Sequence, residues 1–184
     1  MNEPLSTWAI ETQRLGLRPL RASDLEDLAT IFADPAVMHF IGGVRSRVET
    51  RRYLDSYIHH FETWGYGLWA TIDKASGALI GRCGLVHQEV EGRTQLEVGY
   101  LLAKAYWGRG LATEAAIAIR DFGLTVSDRP LIAIVHVDNR ASQRVATKIG
   151  MNRTRQLEWR GFPVFIYELD TARNFGGESV RTDG

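Results

Sequence analysis

Between Leu96 and Ala115 the chain reads as a strand, a glycine-bearing turn and a helix, with Gly108 and Gly110 on either side of Arg109. Glycine at both positions admits positive φ and lets the backbone approach a bound group closely. Amide N–H groups at the helix start can then converge on an anion while the helix dipole adds partial positive charge, and a diphosphate is the natural occupant. Arg109 either adds a charge-assisted contact or points into solvent. Two nucleotide loops are excluded. No Lys-Ser or Lys-Thr pair follows these glycines, as a P-loop requires, and Thr113 stands where the fingerprint G-x-G-x-x-G/A needs its third small residue. A tight turn that uses glycine for geometry alone remains the alternative.

Further polar groups surround this segment in sequence. Asn139 with Ser142 three residues on reads as a helix N-cap. Arg140, Arg144 and Lys148 recur at i, i+4 and form one basic ridge, read either as a solvated face or as an attraction for phosphates. Cys83 sits in a strand pattern with no catalytic partner in sequence and is read as structural. His136 lies on an apolar strand, where a hydrogen-bonded core histidine is the simpler reading.

The elements that must position these residues follow from periodicity. Arg14 to Leu20 alternates as a strand, and Ser23-Asp24-Leu25-Glu26 has capping-box spacing ahead of a stripe at Leu25, Leu28, Ile31 and Phe32. Ser46 to Glu49 repeats that box before Tyr53, Leu54, Tyr57, Ile58 and Phe61, a stripe read as core rather than acceptor site. Trp64, Tyr66 and Trp69 cluster around glycines and are likewise read as packing, with an acceptor pocket as the alternative. Leu68 to Ile72, Leu79 to His87 and Thr94 to Leu102 form an antiparallel meander. A helix over about Leu111 to Leu124, a buried strand Leu131 to Val137, a helix over about Arg140 to Ile149 closed by Gly150, and strands Thr154 to Trp159 and Phe162 to Leu169 complete a mixed α/β fold around one central sheet. Beyond Asp170 the chain is polar and Gly-rich and is expected to be disordered.

Composition fits one packed domain over residues 1–170. The 184 residues carry 22 basic and 22 acidic side chains and are 45% apolar, and at this size roughly 70% of the unfolded surface is buried without staples. The longest apolar runs are five residues, Ala115 to Ile119 and Leu131 to Val135, against the ~20 a membrane helix needs. A zero net charge argues against nonspecific nucleic-acid binding. A single cysteine and an N-terminus with no basic and apolar leader point to the cytoplasm.

Trp107-Gly108-Arg109-Gly110-Leu111-Ala112 resembles the Q/R-x-x-G-x-G/A loop of the GNAT acetyltransferase superfamily. Asn139-x-x-Ser142 followed by Lys148-Ile149-Gly150-Met151 is similar to that superfamily's second motif. The resemblance covers approximately Thr12 to Asp170 and is greatest to the branch that acetylates the N-termini of ribosomal proteins. It implies a mostly antiparallel sheet splayed in the middle and flanked by about four helices, with acetyl-coenzyme A as co-substrate and no metal. The diphosphate would lie on Trp107, Gly108, Arg109, Gly110, Leu111, Ala112 and Thr113, and the pantetheine arm along Tyr100, Leu101, Leu102 and Asn139. Ser142 would face the departing sulfur, and Lys148 the coenzyme's phosphates. The chain departs from the pattern twice: Trp107 replaces Gln or Arg, and Ala146 stands where many members carry a tyrosine general acid.

The expected chemistry is direct attack of a primary amine on the thioester. Glu97, on the strand before the loop, is the candidate base or else a structural carboxylate, and Glu158 and His136 are rival bases. An α-amine of pKa ~8 needs less help than a lysine at ~10.4, which favours a protein N-terminus over a side chain. An amino acid, polyamine or aminoglycoside is the alternative acceptor, and a non-catalytic acyl-coenzyme A module is the alternative function. A homodimer is admitted, and the sequence does not fix the oligomeric state.

Overall fold

The computed structural model describes residues 8–127 and 130–169, so the C-terminal stretch read as disordered lies outside the described residues. Strands β1 (Ile10–Glu11) and β2 (Leu15–Pro19) precede helices α1 (Leu25–Phe32), α2 (Pro35–Met38) and α3 (Arg47–Trp64). The meander β3 (Leu68–Asp73), β4 (Leu79–Val90) and β5 (Arg93–Leu102) leads to α4 (Leu111–Val126), β6 (Leu131–His136), α5 (Arg140–Lys148), β7 (Met151–Trp159) and β8 (Phe162–Leu169). The strands form one sheet in the order β1-β2-β3-β4-β5-β6-β8-β7. Its pairings are antiparallel except for β5 with β6.

Five α-helices flank the sheet among the described residues, one more than the periodicity marks. The additional one, α2, is a single turn opened by Pro35, with Asp34 Oδ1 accepting the Ala36 N–H at 2.8 Å. One turn is too short to show a period. The box at Ser46 forms as the spacing predicts: Ser46 Oγ accepts the Glu49 N–H and Glu49 accepts the Ser46 N–H. The box at Ser23 does not. Asp24 instead accepts the Arg21 N–H and takes the Arg18 guanidinium through both oxygens, at 2.8 and 2.7 Å. Ser23 falls inside the 3-10 turn Ala22–Asp24 and not at a helix N-cap, and the Glu26 carboxylate that would close the box pairs with Arg47 instead.

Apolar side chains cover both faces. Ile119 of α4 and Ala146 of α5 share one core with Leu15, Ile80, Cys83, Leu85, Val98 and Leu102, and Leu28 and Phe32 of α1 and Leu54 of α3 share another with Ala70, Ile72 and Leu101. Each large side chain buried in this way contributes about 1.5–3 kcal/mol. The α3 stripe is shallower than its spacing implies: Leu54 is buried, but Tyr53 is exposed and Tyr57, Ile58 and Phe61 are half-buried. Trp64, read as packing, is 54% exposed, whereas Trp69 is buried.

The functional consequence of the topology sits between β5 and β6. They pair only at Leu96↔Leu131 and Glu97↔Ile132. Beyond Glu97 the strands diverge, and β5 from Val98 to Leu102 keeps β4 on one side and has no strand on the other.

Candidate active site

The turn after β5 has the geometry its glycines anticipate. Gly108 and Gly110 have φ of 72° and 77°, which L-residues with a Cβ resist by about 1 kcal/mol or more. Gly110 is the N-cap of α4 and brings no side-chain acceptor. The amides of Leu111, Ala112 and Thr113 therefore open the helix with no side-chain cap and with the dipole's positive end behind them. Trp107 does not reproduce the Gln or Arg of the resembled motif. Its indole Nε1 donates to the Leu102 carbonyl at 2.8 Å, tying the loop to the end of β5, and the side chain is 47% exposed. Arg109 lays its guanidinium over the Tyr106 ring at 5.3 Å.

A brace that the sequence gives no local sign of holds this loop. Glu114, in the first turn of α4, accepts from Thr12 Oγ1 at 2.6 Å, from the Arg14 N–H at 2.8 Å and from Arg14 Nε at 2.7 Å. Arg14 Nη1 also donates to the Arg109 carbonyl at 2.9 Å. Burial pushes the Glu114 carboxyl up, but the Thr12 hydroxyl and the Arg14 amide and guanidinium outweigh it, and the net shift is downward. A depressed folded-state pKa contributes stability above the unfolded value, which is lost as pH falls through the folded one. Glu114→Gln is accordingly expected to lower stability by about 1 kcal/mol at neutral pH, a modest figure because Arg14 is nearly half-exposed. Urea melts at pH 7 and below pH 4 check this, since the two proteins should converge in acid.

Across the gap, α5 presents its N-terminus. Asn139 Oδ1 accepts the Ser142 N–H at 3.0 Å, the cap its spacing predicts. Among the described residues its amide nitrogen is left without a partner, so capping and binding are compatible. Tyr100 Oη lies 3.0 Å from both the carbonyl and the Oγ of Ser142. Burial pushes the Tyr100 hydroxyl's pKa upward, so it is a neutral donor at physiological pH. Leu101 and Leu102 are buried, one on each face, and present backbone to the gap. Lys148 is exposed at the far end of α5. Arg120 Nη1 donates to the neighbouring Ile149 carbonyl, so that end packs against α4 about 14 Å along the α4 axis from the turn at Gly110.

The candidate bases separate by face. Register places Glu97, Ile132, Ile134 and His136 on the side covered by α1 to α3. Glu97 Oε2 accepts from Gln88 Nε2 at 2.8 Å, and Gln88 Oε1 in turn accepts from Arg160 Nη2 at 3.2 Å. Burial raises the Glu97 pKa, against the opposing pull of the Gln88 amide, Arg82, the Ile134 backbone and Arg160. Glu158 is exposed on the edge strand β7, between Leu157 and Trp159, which pack on the Glu97 face. Its own side chain thus projects from the other face, and it is set aside as a base. His136 Nδ1 accepts the Asp138 N–H at 3.1 Å. In the neutral ring the proton then sits on Nε2, making that nitrogen a donor rather than a base. The ring stacks 5.0 Å from Phe40. Cys83 is buried, and burial pushes its thiol up to about 12. It is no nucleophile at neutral pH. Among the described residues no group of three or more His, Cys, Asp or Glu side chains is placed to hold a metal.

Comparison with known proteins agrees with this geometry. The acetyltransferase (GNAT) domain family matches residues 14–152. The uncharacterized protein YkkB of Bacillus subtilis is 35% identical over 85% of this chain and 92% of its own length. The crystal structure of an acetyltransferase from Agrobacterium tumefaciens superposes with a TM-score of 0.76 at 27% identity, covering 92% of this chain and 98% of its own. The ribosomal-protein α-N-acetyltransferase RimL, solved with coenzyme A, superposes with a TM-score of 0.71 over 85% of this chain and 94% of its own. At 20% identity that last likeness shows the fold and leaves the acceptor open. With the loop, the splayed strands and the family match in agreement, the chain belongs to the GNAT acetyltransferase family.

Proposed function

We propose that the protein transfers the acetyl group of acetyl-coenzyme A to a primary α-amine by direct attack in a ternary complex. The observation that carries this reading is the gap between β5 and β6, which opens beside Glu97 on one face and Ser142 on the other and ends at an uncapped helix start. The residues present fit coenzyme A: amides at Gly108 to Thr113 for the diphosphate, and free strand backbone with the spare Asn139 amide nitrogen for the pantetheine arm. When bound, acetyl-coenzyme A supplies an activated acetyl thioester.

This chain's residues do the rest. Holding amine and thioester together removes most of the entropic barrier. Glu97 accepts the proton that the amine releases as the new C–N bond forms. Tyr100, when it donates to Ser142 Oγ, leaves the Ser142 hydroxyl proton available to the sulfur as the C–S bond breaks. A thiol of pKa ~8.5 leaves as thiolate with little help, so a hydroxyl donor suffices where the family's tyrosine position holds Ala146. One carboxylate base suits an α-amine of pKa ~8 better than a lysine at ~10.4.

Incubation with acetyl-coenzyme A and an amine panel tests the proposal. Free thiol should appear in step with N-acetylated product, and coenzyme binding without thiol release would mean a binding module instead. Ser142→Ala should lower kcat roughly 10-fold, the equivalent of ~1.4 kcal/mol, with coenzyme affinity nearly unchanged. Because Asn139 accepts from the Ser142 backbone rather than its hydroxyl, the cap survives the substitution, and wild-type turnover would remove the sulfur contact.

A further inference from the structure

One row of the sheet, on the face covered by α1 to α3, runs Arg18↔Ala70↔Arg82↔Leu101 across β2, β3, β4 and β5. The two arginines in it are treated very differently. Arg18 has a bidentate carboxylate in Asp24 and a further bond to the Pro19 carbonyl at 3.0 Å. Among the described residues the Arg82 side chain has no hydrogen bond and no ion pair; its Nε is buried without a partner, while the residue as a whole is half-buried. Burying even one guanidinium N–H without an acceptor costs free energy, and such an atom in a folded core calls for an explanation.

The position of the Arg82 head group supplies that reason. It lies over the rings of Tyr57 at 5.3 Å and Phe32 at 6.0 Å, contacts that fix its plane but neutralise no charge. Its Nη1 stands 3.9 Å from the point a Cβ on Gly99 would occupy. Gly99 is in the part of β5 that β6 has left, two residues beyond Glu97 and on the same face. A strand advances about 7 Å over two residues. A fixed cation and a fixed carboxylate therefore flank the bare backbone of Gly99, which is bordered by the Leu68 and Val86 methyl groups, beside the gap. They do not collapse onto each other, because Tyr57 and Phe32 hold one and the Gln88 amide the other.

We infer that Arg82 selects the acceptor: the amine acetylated here also carries a carboxylate a few bonds away, which pairs with the Arg82 guanidinium while the amine meets Glu97. This rests on the acetyltransferase reading above and deepens it. A zwitterion laid over Gly99 meets opposite charges at both ends, and the unsatisfied guanidinium gains the charge-assisted fork that Arg18 already has. The carboxylate is that of a free amino acid or of an acidic residue next to a peptide N-terminus, and the chemistry Arg82 reads is the same.

The test pairs each probe with its neutral twin. Wild-type protein is assayed with α-, β- and γ-amino acids against their amides, and with short peptides carrying Asp against Asn at the second position. For at least one pair the carboxylate member should have a kcat/KM about 30-fold or more above its twin, mostly through KM, and the pair that shows it identifies the source. Arg82→Met should collapse that ratio to about 1, and Arg82→Lys should restore part of it. Because Arg82→Met also removes a buried N–H that has no acceptor, its Tm should rise by about 2–4 °C, which a merely structural arginine would not give. Ratios near 1 in the wild type while amines are turned over, or a preference that survives Arg82→Met, would overturn the inference. Should Arg82→Met fail to fold, the wild-type ratios alone still decide it. No turnover with any amine would overturn the acetyltransferase reading itself, and this inference with it.

Discussion

Gly110→Asp should leave the protein folded and weaken coenzyme A binding by about 100-fold or more. The new carboxylate would stand at the N-cap of α4, where the diphosphate is expected to meet the amides of Leu111 to Thr113. Two like charges 4 Å apart at an effective dielectric of 20 repel by about 4 kcal/mol, and two orders of magnitude in affinity need only ~2.8 kcal/mol. The fold has reasons to tolerate the change. Asp accepts a left-handed conformation more readily than most residues and is a favoured N-cap. The added Cβ would meet Arg14 Nη2 at 3.6 Å, close enough to pair with the carboxylate. Gly110→Ala separates the contributions, since it carries the cost of φ 77° without the charge and should lose much less affinity. Calorimetric titration with coenzyme A, alongside a thermal melt, is the measurement. A folded Asp variant with wild-type affinity would remove the phosphate loop from the site.

That loop was legible because its chemistry is local: two glycines, a helix start and an uncapped N-terminus lie within a few residues. Asn139 and Ser142 were legible for the same reason. What periodicity could not show is contact over distance. The Arg14 and Glu114 brace spans 100 residues and the Tyr100 hydroxyl reaches Ser142 across 42. Neither partner is unusual in its own neighbourhood. Faces were the second blind spot. A stripe at Tyr53, Tyr57 and Phe61 shows where a helix could be covered, not how deeply, and Tyr53 stays exposed. Glu158 and Glu97 look alike as strand carboxylates, and only the β7 and β8 register puts them on opposite sides. The Ser23 box failed because Ser23 lies inside a 3-10 turn and Glu26 pairs with Arg47, 21 residues on. Arg82 shows the limit most clearly, since an arginine without a partner can be recognised only once every neighbour is in place.

Glu97→Gln is expected to lower kcat/KM by roughly 10²–10³ near neutral pH, within the range ascribed to a positioned base. Coenzyme affinity should be nearly unchanged, because Glu97 lies on the face opposite the α4 loop. The pH profile is more telling than the size of the loss. Burial raises the Glu97 pKa, so wild-type activity should fall as pH drops through a value above the ordinary carboxylate range. The glutamine variant lacks that inflection and should keep only the rise set by the amine, so the two profiles approach each other as pH increases and the amine ionises unaided. Stability gives an independent sign. A carboxyl with a raised folded-state pKa binds more protons in the folded than in the unfolded chain, so stability falls as pH rises from the unfolded value through the folded one. Removing the charge should therefore make the variant more stable than wild type at pH 7, with the advantage fading below pH ~4. A carboxylate that merely orders Gln88 would show the same stability gain with no change in rate. Identical pH profiles for the two proteins would thus strip Glu97 of its role as base while leaving its burial intact.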